Sequence, residues 1–355
     1  MTDESAKCNG FAMDSKQFEQ RKQQHLDIAL GGAMQASELS QMQRVRLIHE
    51  ALPDLDFQSV QTQTQLLNLS CSSPIFISSM TAGHQGGEQL NQRLARFAQD
   101  RGILMGVGSQ RKELSNPQAA SEWQALRKVA PNANLIGNVG VSQLLESHPE
   151  QIQRLVDQLE ARALFVHLNP LQECLQPEGT PFFRGALKAL ELLVSKLQVP
   201  VIVKEVGCGI SMSTMQRLAS IGVQYLDVSG AGGTHWGRIE GARSQAQDIR
   251  AQAAETFAQW GISTVQSLVD AKEVFRGRHV WASGGVRSGL DVAKLLAMGA
   301  EAVGMAQPFL LAAMENEQKL HNLMDRFEFE LRVAMFCTGV GSVNDFKTKK
   351  VWSWI

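Results

Sequence analysis

The sequence predicts an α/β protein folded as one (β/α)₈ barrel, the architecture also called a TIM barrel. The chain has 355 residues, which suits one large barrel or two modest domains. Short apolar runs rich in β-branched residues recur eight times, and segments with helical spacing separate several of them. The runs are continuous rather than alternating, which is typical of parallel strands buried on both faces. A doubly wound open sheet is the alternative, but eight regular units favour a closed barrel.

The predicted strands and helices follow one another along most of the chain, without a fixed sequence repeat. Strands are predicted at residues 74–79, 103–108, 134–140, 163–168, 200–207, 224–230, 279–285 and 301–306. Helices are predicted at residues 91–102, 148–163, 184–198, 211–222 and 288–300. Glycines end three of these helices, as expected for residues that stop a helix.

Two regions fall outside this alternation. Residues 1–73 form an N-terminal extension with a basic helical stretch, QFEQRKQQHLDIAL, and residues 342–355 form a C-terminal tail. The barrel is expected at residues 74–341 as a single domain, because no Pro/Ser-rich linker divides the chain. Between Gly230 and Arg278 the chain is longer than one helix needs. Its start, GAGGTHWGRIEGARS, predicts a long Gly-rich active-site loop after the sixth strand.

Composition is that of an ordinary soluble protein. Hydrophobic residues make up 44% and charged residues 19%, with a net charge of -1, so nothing indicates a nucleic-acid or anionic-membrane partner. The N-terminus lacks the apolar core of a signal peptide, which predicts a cytoplasmic protein. The five cysteines are dispersed without a CxxC pair, which excludes the common zinc spacings and suggests reduced thiols. No HExxH, P-loop or GxSxG motif is present.

Polar residues collect where seven of the eight predicted strands end, the position of catalytic residues in barrels. The fourth strand ends in HLNPLQE, which brings together His167, Asn169, Gln172 and Glu173. A polar strand end without function is the alternative for any one of these loops. Their shared register along one rim favours an active site.

The turns after the seventh and eighth strands predict a phosphate site. Gly284 and Gly285 allow close backbone approach, Ala306 keeps the facing turn small, and a helix N-terminus follows. The alternative is a tight turn with a helix cap by Ser288.

Lys204 ends an apolar strand, where an unpaired charge is costly. It could form a salt bridge with Glu205 or Asp227, or face the electron-rich ring or an anionic oxygen of a cofactor. Uncharged hydrogen-bonding residues near other strand ends suit the edge of a planar heterocycle. They are Thr81, Ser109, Asn138, Ser229 and Thr234.

A separate group is cationic. Arg21, Lys22 and His25 lie on one helical turn and can converge with Arg111 on a polyanion, although a solvated helix face is the alternative. Glu173 is the only carboxylate in its loop, and one carboxylate beside a diphosphate is a usual environment of Mg²⁺.

Eight motifs together resemble the type 2 isopentenyl-diphosphate delta-isomerases, which are FMN-dependent (β/α)₈ barrels of isoprenoid synthesis. They are RKQQHL, SSMTAG, GSQR, NVG, HLNPLQE, PVIVKEVGCGIS, DVSGAGGT and SGGVRSGLDVAKLLAMGA, spread in the family's order over roughly residues 18–310. HLNxxQE combined with VKEVGxG is highly specific to that family.

The resemblance implies a role for each matching residue. It implies FMN contacts at Ser79, Met80, Thr81, Ser109, Asn138, Lys204, Ser229, Thr234, Gly284, Gly285, Arg287, Ala306 and Gln307. It implies substrate contacts at Arg21, Lys22, His25, Gln110, Arg111, His167, Asn169 and Gln172. Of these groups, Gln172, His167 and Lys204 are the expected catalytic residues, and Glu173 is the expected Mg²⁺ ligand. The chain departs from the family at Ala82, where MTAG replaces MTGG, and at Gln307 in the AQP turn.

The implied reaction is reversible 1,3-allylic isomerisation of isopentenyl diphosphate to dimethylallyl diphosphate. Reduced FMN is the expected acid/base group, with NADPH as the reductant that prepares it, and the family's tetramers or octamers imply a homo-oligomer. Two rival functions remain at this stage. A hydroxyacid oxidase would need a His–Asp base pair and an arginine for a carboxylate, for which the sequence offers no comparable arrangement. A non-catalytic flavin or phosphate sensor would not need Gln172 or Glu173.

Overall fold

Eight parallel strands close into a barrel in the computed structural model of the chain. The structure describes residues 21, 23–25, 27–29, 31–80, 87–116 and 121–355, without the side chain of residue 115. The barrel strands are β4 (Ile75–Ile77), β5 (Leu104–Gly106), β6 (Asn134–Gly140), β7 (Ala163–Leu168), β8 (Val201–Glu205), β9 (Tyr225–Asp227), β10 (His279–Ser283) and β11 (Ala302–Met305). Each strand pairs in parallel with the next, and β11 pairs with β4. The predicted closed barrel is confirmed, and the open sheet is excluded.

Helices alternate with these strands on the outside of the barrel. They are α1 (Gly87–Arg101), α2 (Arg111–Ser115), α3 (Ser121–Val129), α4 (Pro149–Leu159), α5 (Pro170–Leu175), α6 (Ala186–Lys196), α7 (Met212–Ser220), α8 (Trp236–Arg243), α9 (Ile249–Thr256), α10 (Thr264–Val274), α11 (Gly289–Ala297), α12 (Gln307–Glu315) and α13 (Glu317–Phe336). The long segment after the sixth barrel strand contains two extra helices, α8 and α9. None of the described helices is long and apolar enough to cross a membrane.

The inside of the barrel is filled with large apolar side chains. Phe76, Phe165 and Trp281 are fully buried, and the rings of Phe76 and Trp281 lie 5.1 Å apart between centroids. A hairpin of β2 (Thr64–Leu66) and β3 (Leu69–Cys71) packs against the same cluster. The interior is thus a packed core, and the polar cavity lies above it at the carboxyl ends of the strands.

The two ends of the chain meet outside the barrel. Strand β1 (Val45–Leu47) pairs antiparallel with β12 (Trp352–Trp354). The predicted C-terminal tail therefore packs on the N-terminal extension. Residues 21, 23–25 and 27–29 are helical, and this N-terminal helical segment lies beside the barrel mouth, where Arg21, His25 and Ala29 line the cavity.

Candidate active site at the barrel mouth

One cavity opens at the carboxyl ends of the strands, and loops from all eight barrel strands line it. The predicted site residues that line it are Arg21, His25, Ser79, Met80, Ser109, Arg111, Asn138, His167, Asn169, Gln172, Glu173, Lys204, Ser229, Thr234, Gly284, Gly285, Arg287, Ala306 and Gln307. Lys22, Thr81 and Ala82 lie outside the described residues.

Gln110 differs from the other predicted site residues because its side chain does not reach the cavity. It is fully buried behind β6, where its Oε1 accepts from the backbone N–H of Asn138 at 3.0 Å. Its Nε2 donates to the carbonyl of Leu155 at 3.5 Å. The side chain of Gln110 therefore supports the strand that presents Asn138.

The glycine pair after β10 is fixed by the backbone of the neighbouring loop. Gly284 and Gly285 have φ values of 101° and 80°, in the region that favours glycine. A Cβ on Gly284 would lie 2.1 Å from the carbonyl oxygen of Gly230, and one on Gly285 would lie 2.6 Å from that of Gly232. Two barrel loops thus touch through their main chains. Ser288 also caps α11, accepting from Asp291 N at 3.1 Å, so the turn combines a helix cap with a cavity wall.

Arg287 brings a positive charge to this end of the cavity. Its guanidinium donates to the carbonyl of Val286 and to the Oε1 of Gln35. Burial lowers the pKa of Arg287, and the charge of Asp291 opposes that shift. Among the described residues no carboxylate lies within 4.0 Å of the guanidinium, so its charge is not neutralised by a salt bridge. An anionic group would complete this arrangement.

Two serines after β4 place hydroxyls in the cavity wall. Ser78 Oγ and Ser79 Oγ are buried and have no hydrogen-bond partner among the described residues. A buried hydroxyl without a partner costs free energy, which a bound polar molecule would offset.

Lys204 is buried at the end of β8, with 5% of its surface exposed. Its Nζ donates to the backbone carbonyl of Glu205, and neither predicted salt bridge, to Glu205 or to Asp227, is formed within 4.0 Å. Burial lowers the pKa of Lys204, while the charges of Asp227 and Glu205 oppose that shift. The Glu205 carboxylate instead accepts from the backbone N–H groups of Val206 and Gly207, each at 2.7 Å. Lys204 thus lines the cavity with no carboxylate oxygen within 4.0 Å of its Nζ among the described residues.

His167 is held by its neighbour on the adjacent strand. Its Nδ1 lies 2.9 Å from Asn138 Oδ1, and because an amide oxygen only accepts, this contact favours the form of the ring with a proton on Nδ1. Gly140 allows this approach, since a Cβ there would lie 2.9 Å from His167 Nε2 and 2.4 Å from Gln143 Oε1. The imidazole orientation is thus set by residues of β6 and the turn after it.

Glu173 is held at the start of α5 by three donors. Asn169 Nδ2 donates to Glu173 Oε1 at 2.9 Å, and Thr180 donates to Oε2 from its backbone N–H at 2.6 Å and its hydroxyl at 3.3 Å. Asn169 Oδ1 is buried without a hydrogen-bond partner among the described residues. A carboxylate and an amide oxygen, both lining the cavity, are ligand types that Mg²⁺ and Ca²⁺ accept. Among the described residues, no three or more His, Cys, Asp or Glu side chains cluster in a way that could hold a metal ion, so a metal here would also need amide, water or substrate oxygens.

Glu240, on α8, organises the part of the cavity wall that His25 and Gln172 form. It is fully buried, and it accepts from Gln172 Nε2 at 2.9 Å and pairs with His25 Nε2 at 2.9 Å. Arg243 donates to its second oxygen. Burial would raise the pKa of Glu240, but His25, Gln172 and Arg243 together lower it to about 2. This carboxylate therefore joins the N-terminal helical segment to the loop after β7.

Arg21 lies near both Arg111 and Glu240. Burial and the charge of Arg111 lower the pKa of Arg21 to about 10, while Glu178 and Glu240 oppose the shift. Arg21 is only 5% exposed. With its amide oxygen toward Arg21, Gln176 accepts from that guanidinium at 3.0 Å and donates to Glu240 at 3.2 Å. Two neighbouring guanidinium groups that line one cavity form a favourable site for a polyanion.

Relatives of similar sequence identify the family of this chain. A model of the FMN-dependent dehydrogenases matches residues 170–353. A protein of Bdellovibrio bacteriovorus named isopentenyl-diphosphate delta-isomerase is 52% identical over 341 residues, covering 95% of this chain and 98% of the relative. The chain belongs to the isopentenyl-diphosphate delta-isomerase family. The family suggested by the sequence motifs is thereby confirmed.

Other relatives support the same family assignment. Isopentenyl-diphosphate delta-isomerases of Legionella pneumophila (strain Corby) and Nostoc sp. are 50% and 41% identical, and each match covers 94% of this chain and 95% or more of the relative. A solved structure of mutant mandelate oxidase with a monooxide FMN adduct has a TM-score of 0.62 at 17% identity, covering 97% of this chain and 99% of that one. A mutant flavocytochrome b2 with benzoylformate has a TM-score of 0.66 at 18% identity, covering 90% and 79%. These two show that the chain shares its fold with mandelate oxidase and flavocytochrome b2.

The residues of this family member fit FMN and Mg²⁺ by the chemistry of the cavity. Glycines hold two loop backbones together near Arg287, and the Ser79 hydroxyl, which has no hydrogen-bond partner among the described residues, offers a donor to a heterocycle. The Glu173 carboxylate and Asn169 Oδ1, which also has no hydrogen-bond partner in the described part of the chain, are hard oxygen ligands of the kind that Mg²⁺ prefers.

Sequence reasoning missed several residues of this isomerase-family site. Glu240, Gln35 and Gln176 bond predicted site residues, and Gln143 accepts from the backbone of Gly140 and lines the cavity. None of the four stands at a strand end. Of these four residues, only Glu240 could have been recognised from the sequence. It is the one carboxylate of the Gly-rich GAGGTHWGRIEGARS segment, and it precedes Arg243 by three residues.

Proposed function

We propose that this protein converts isopentenyl diphosphate to dimethylallyl diphosphate with reduced FMN and Mg²⁺. The observation that carries the proposal is the pairing of two anion sites across one cavity. Gly284, Gly285 and Arg287 offer one of them, and Arg21 and Arg111 the other. Relatives at 41% to 52% identity bear the name of this isomerase.

FMN would be held by the residues from Ser79 to Gln307 for which the family resemblance implies flavin contacts. The backbone around Gly284 and Gly285 and the charge of Arg287 would receive its phosphate. Lys204, which lines the cavity at the end of β8, would favour an anionic ring edge. When bound, reduced FMN supplies the acid/base group of the isomerisation.

The substrate diphosphate would lie between Arg21, His25 and Arg111, and the family resemblance implies Lys22 as a further contact. Glu173 would hold Mg²⁺ against the diphosphate oxygens, with the ion keeping several waters. His167 and Gln172 would orient the alkene end, because both line the cavity and are themselves fixed, by Asn138 and Glu240 respectively. The protein would then contribute positioning and electrostatic stabilisation.

Three further expectations belong to this proposal. NADPH would reduce the flavin before turnover, although the isomerisation has no net redox change. A homo-oligomer, tetrameric or octameric, and a cytoplasmic location follow from the family resemblance and the sequence.

The hydroxyacid oxidase alternative is less well supported. Such an enzyme needs a histidine base oriented by a carboxylate, and His167 lies against the neutral amide of Asn138. The remaining alternative, a flavin sensor, has no use for Glu173.

The test is incubation of the FMN-loaded, reduced protein with isopentenyl diphosphate and Mg²⁺, with product analysis by chromatography. Dimethylallyl diphosphate is the expected product, and its absence would refute the proposal. Glu173→Gln should keep FMN bound, as checked by its visible spectrum, and should lose Mg²⁺-dependent turnover. Unchanged turnover in that variant would show that Glu173 is not the Mg²⁺ ligand. Glu191→Gln, at an exposed position of α6, is the matched control and should behave like the wild type.

A further inference from the structure

Part of the N-terminal extension, residues 34–36, lies across the loop after β9. It pairs antiparallel with residues 233–235, through backbone hydrogen bonds of 2.8 and 2.9 Å, and Gln35 stands opposite Thr234. The extension thus reaches the flavin end of the cavity as well as the diphosphate end.

The side chain of Gln35 connects two different barrel loops. Its Nε2 donates to Thr234 Oγ1 at 3.0 Å, and its Oε1 accepts from an Nη of Arg287. Thr234 follows β9 and Arg287 follows β10, so one amide fixes side chains from both loops. Both of those side chains line the cavity.

We propose that Gln35 is a positioning residue that holds Thr234 and Arg287 in the arrangement that binds the phosphate of FMN. The proposal rests on FMN binding at the barrel mouth, as put forward under the proposed function. Gln35 does not itself line the cavity, so it acts through the two residues it bonds.

The chemistry of an amide suits this task. Because Gln35 donates to the Thr234 oxygen, the proton of the Thr234 hydroxyl remains available to donate to an anion. Because Gln35 is neutral, it orients the Arg287 guanidinium without neutralising its charge. A carboxylate at the same position would pair with Arg287 and repel a phosphate.

A purely structural role is the competing explanation, in which the side chain only attaches residues 34–36 to the barrel. The backbone hydrogen bonds to residues 233–235 already provide that attachment. A structural role predicts equal losses for ligands with and without a phosphate, whereas the positioning role predicts a loss confined to the phosphorylated ligand.

The experiment compares dissociation constants for FMN and riboflavin, followed by quenching of flavin fluorescence. Gln35→Ala should weaken FMN binding about tenfold, the effect of one or two hydrogen bonds to charged or polar groups, and should change riboflavin binding less than about twofold. Gln35→Glu, nearly isosteric with the native side chain, should weaken FMN binding further. Gln43→Ala, at an exposed glutamine of the same extension, is the matched control and should bind both flavins like the wild type.

Unchanged FMN binding in both Gln35 variants, or equal losses for FMN and riboflavin, would overturn the proposal. A wild-type protein that binds FMN no more tightly than riboflavin would overturn it as well. If Gln35→Ala does not fold, Gln35→Glu decides the question. Since no isoprenoid is present in the assay, failure of isomerase activity would refute the proposed function and leave this inference intact.

Discussion

The two sides of the barrel mouth are formed by different kinds of groups. The side around Gly284, Gly285 and Arg287, which we propose binds flavin and call the flavin half, is made largely of main chain and uncharged donors from the barrel's own loops. The side around Arg21, His25 and Gln172, which we propose binds the diphosphate and call the diphosphate half, is made of charged and polar side chains that a buried carboxylate holds together. The first depends on backbone conformation, and the second on electrostatic pairing.

This difference predicts how a substitution in each half disturbs its structure. In the flavin half, a side chain added where two backbones touch should displace a loop. In the diphosphate half, loss of one charge should leave several partners misplaced at once, because Glu240 bonds residues from three separate parts of the chain.

The largest expected effect comes from removing the charge of Glu240. Glu240→Gln keeps the shape but leaves His25 and Arg243 without their anionic partner. Breaking a buried ion pair costs roughly 3–5 kcal/mol, so kcat/KM for isopentenyl diphosphate should fall about 100-fold or more. Steady-state kinetics measure this, and the FMN dissociation constant should stay within about twofold of wild type.

Glu38→Gln is the matched control for that variant. Glu38 pairs with Arg238 of the same helix α8 at 2.9 Å, but its side chain is 53% exposed. An exposed pair contributes about 0–1 kcal/mol, so kcat/KM should change little. Similar losses of kcat/KM in both variants would show that activity depends on the contacts of helix α8 in general and not on the buried carboxylate in particular.

The next largest effect is expected in the flavin half. Gly284→Ala introduces a Cβ 2.1 Å from the carbonyl of Gly230 at a φ of 101°. The loop must shift, and FMN binding should weaken roughly 30-fold through the loss of a few bonds to the phosphate. Fluorescence titration with FMN measures the change.

Gly277→Ala separates backbone strain from the clash. Gly277 also has a positive φ, 73°, but a Cβ there would meet nothing within 4 Å. The free energy of unfolding of the Gly277→Ala variant should drop by about 1 kcal/mol, while its FMN binding should be unchanged. Normal FMN binding in Gly284→Ala would contradict the backbone-built account of the flavin half.

The sequence was a better guide to the flavin half than to the diphosphate half. Residues such as Asn138 and Lys204 stand at strand ends, and in a closed barrel all strand ends meet at one face, so local pattern predicts their location. Glu240 stands 68 residues from Gln172 and far beyond His25, and only folding brings these three together. Gln35 likewise contacts Arg287 across 252 positions, with nothing in its surroundings to mark it.

Gln110 illustrates a different limit of sequence reasoning. It stands between Ser109 and Arg111, which both line the cavity, yet its side chain turns into the packing behind β6. The prediction of a shared strand end was sound, but the direction of a single side chain depends on the local backbone. Asn138 N–H and the Leu155 carbonyl supply the partners that hold Gln110 inside.

The smallest effect concerns a second buried carboxylate near the diphosphate half, which forms no salt bridge within 4.0 Å among the described residues. Glu113 is only 6% exposed and stands two residues after Arg111. Burial raises its pKa to about 7, with Glu122 adding to the shift, in contrast to the lowered pKa of Glu240. Because the folded protein holds this proton more tightly than the unfolded chain, stability should fall as pH rises from about 4.5 to about 7.

Glu113→Gln should remove that dependence. Since one pKa unit corresponds to about 1.4 kcal/mol, the variant should gain up to about 3 kcal/mol in the free energy of unfolding at pH 8 and nothing at pH 4. Denaturant unfolding at both pH values measures the difference, with the exposed Glu191→Gln as control. A gain of equal size at both pH values would assign the effect to packing instead, and the contrast between a paired and an unpaired buried carboxylate would then not hold.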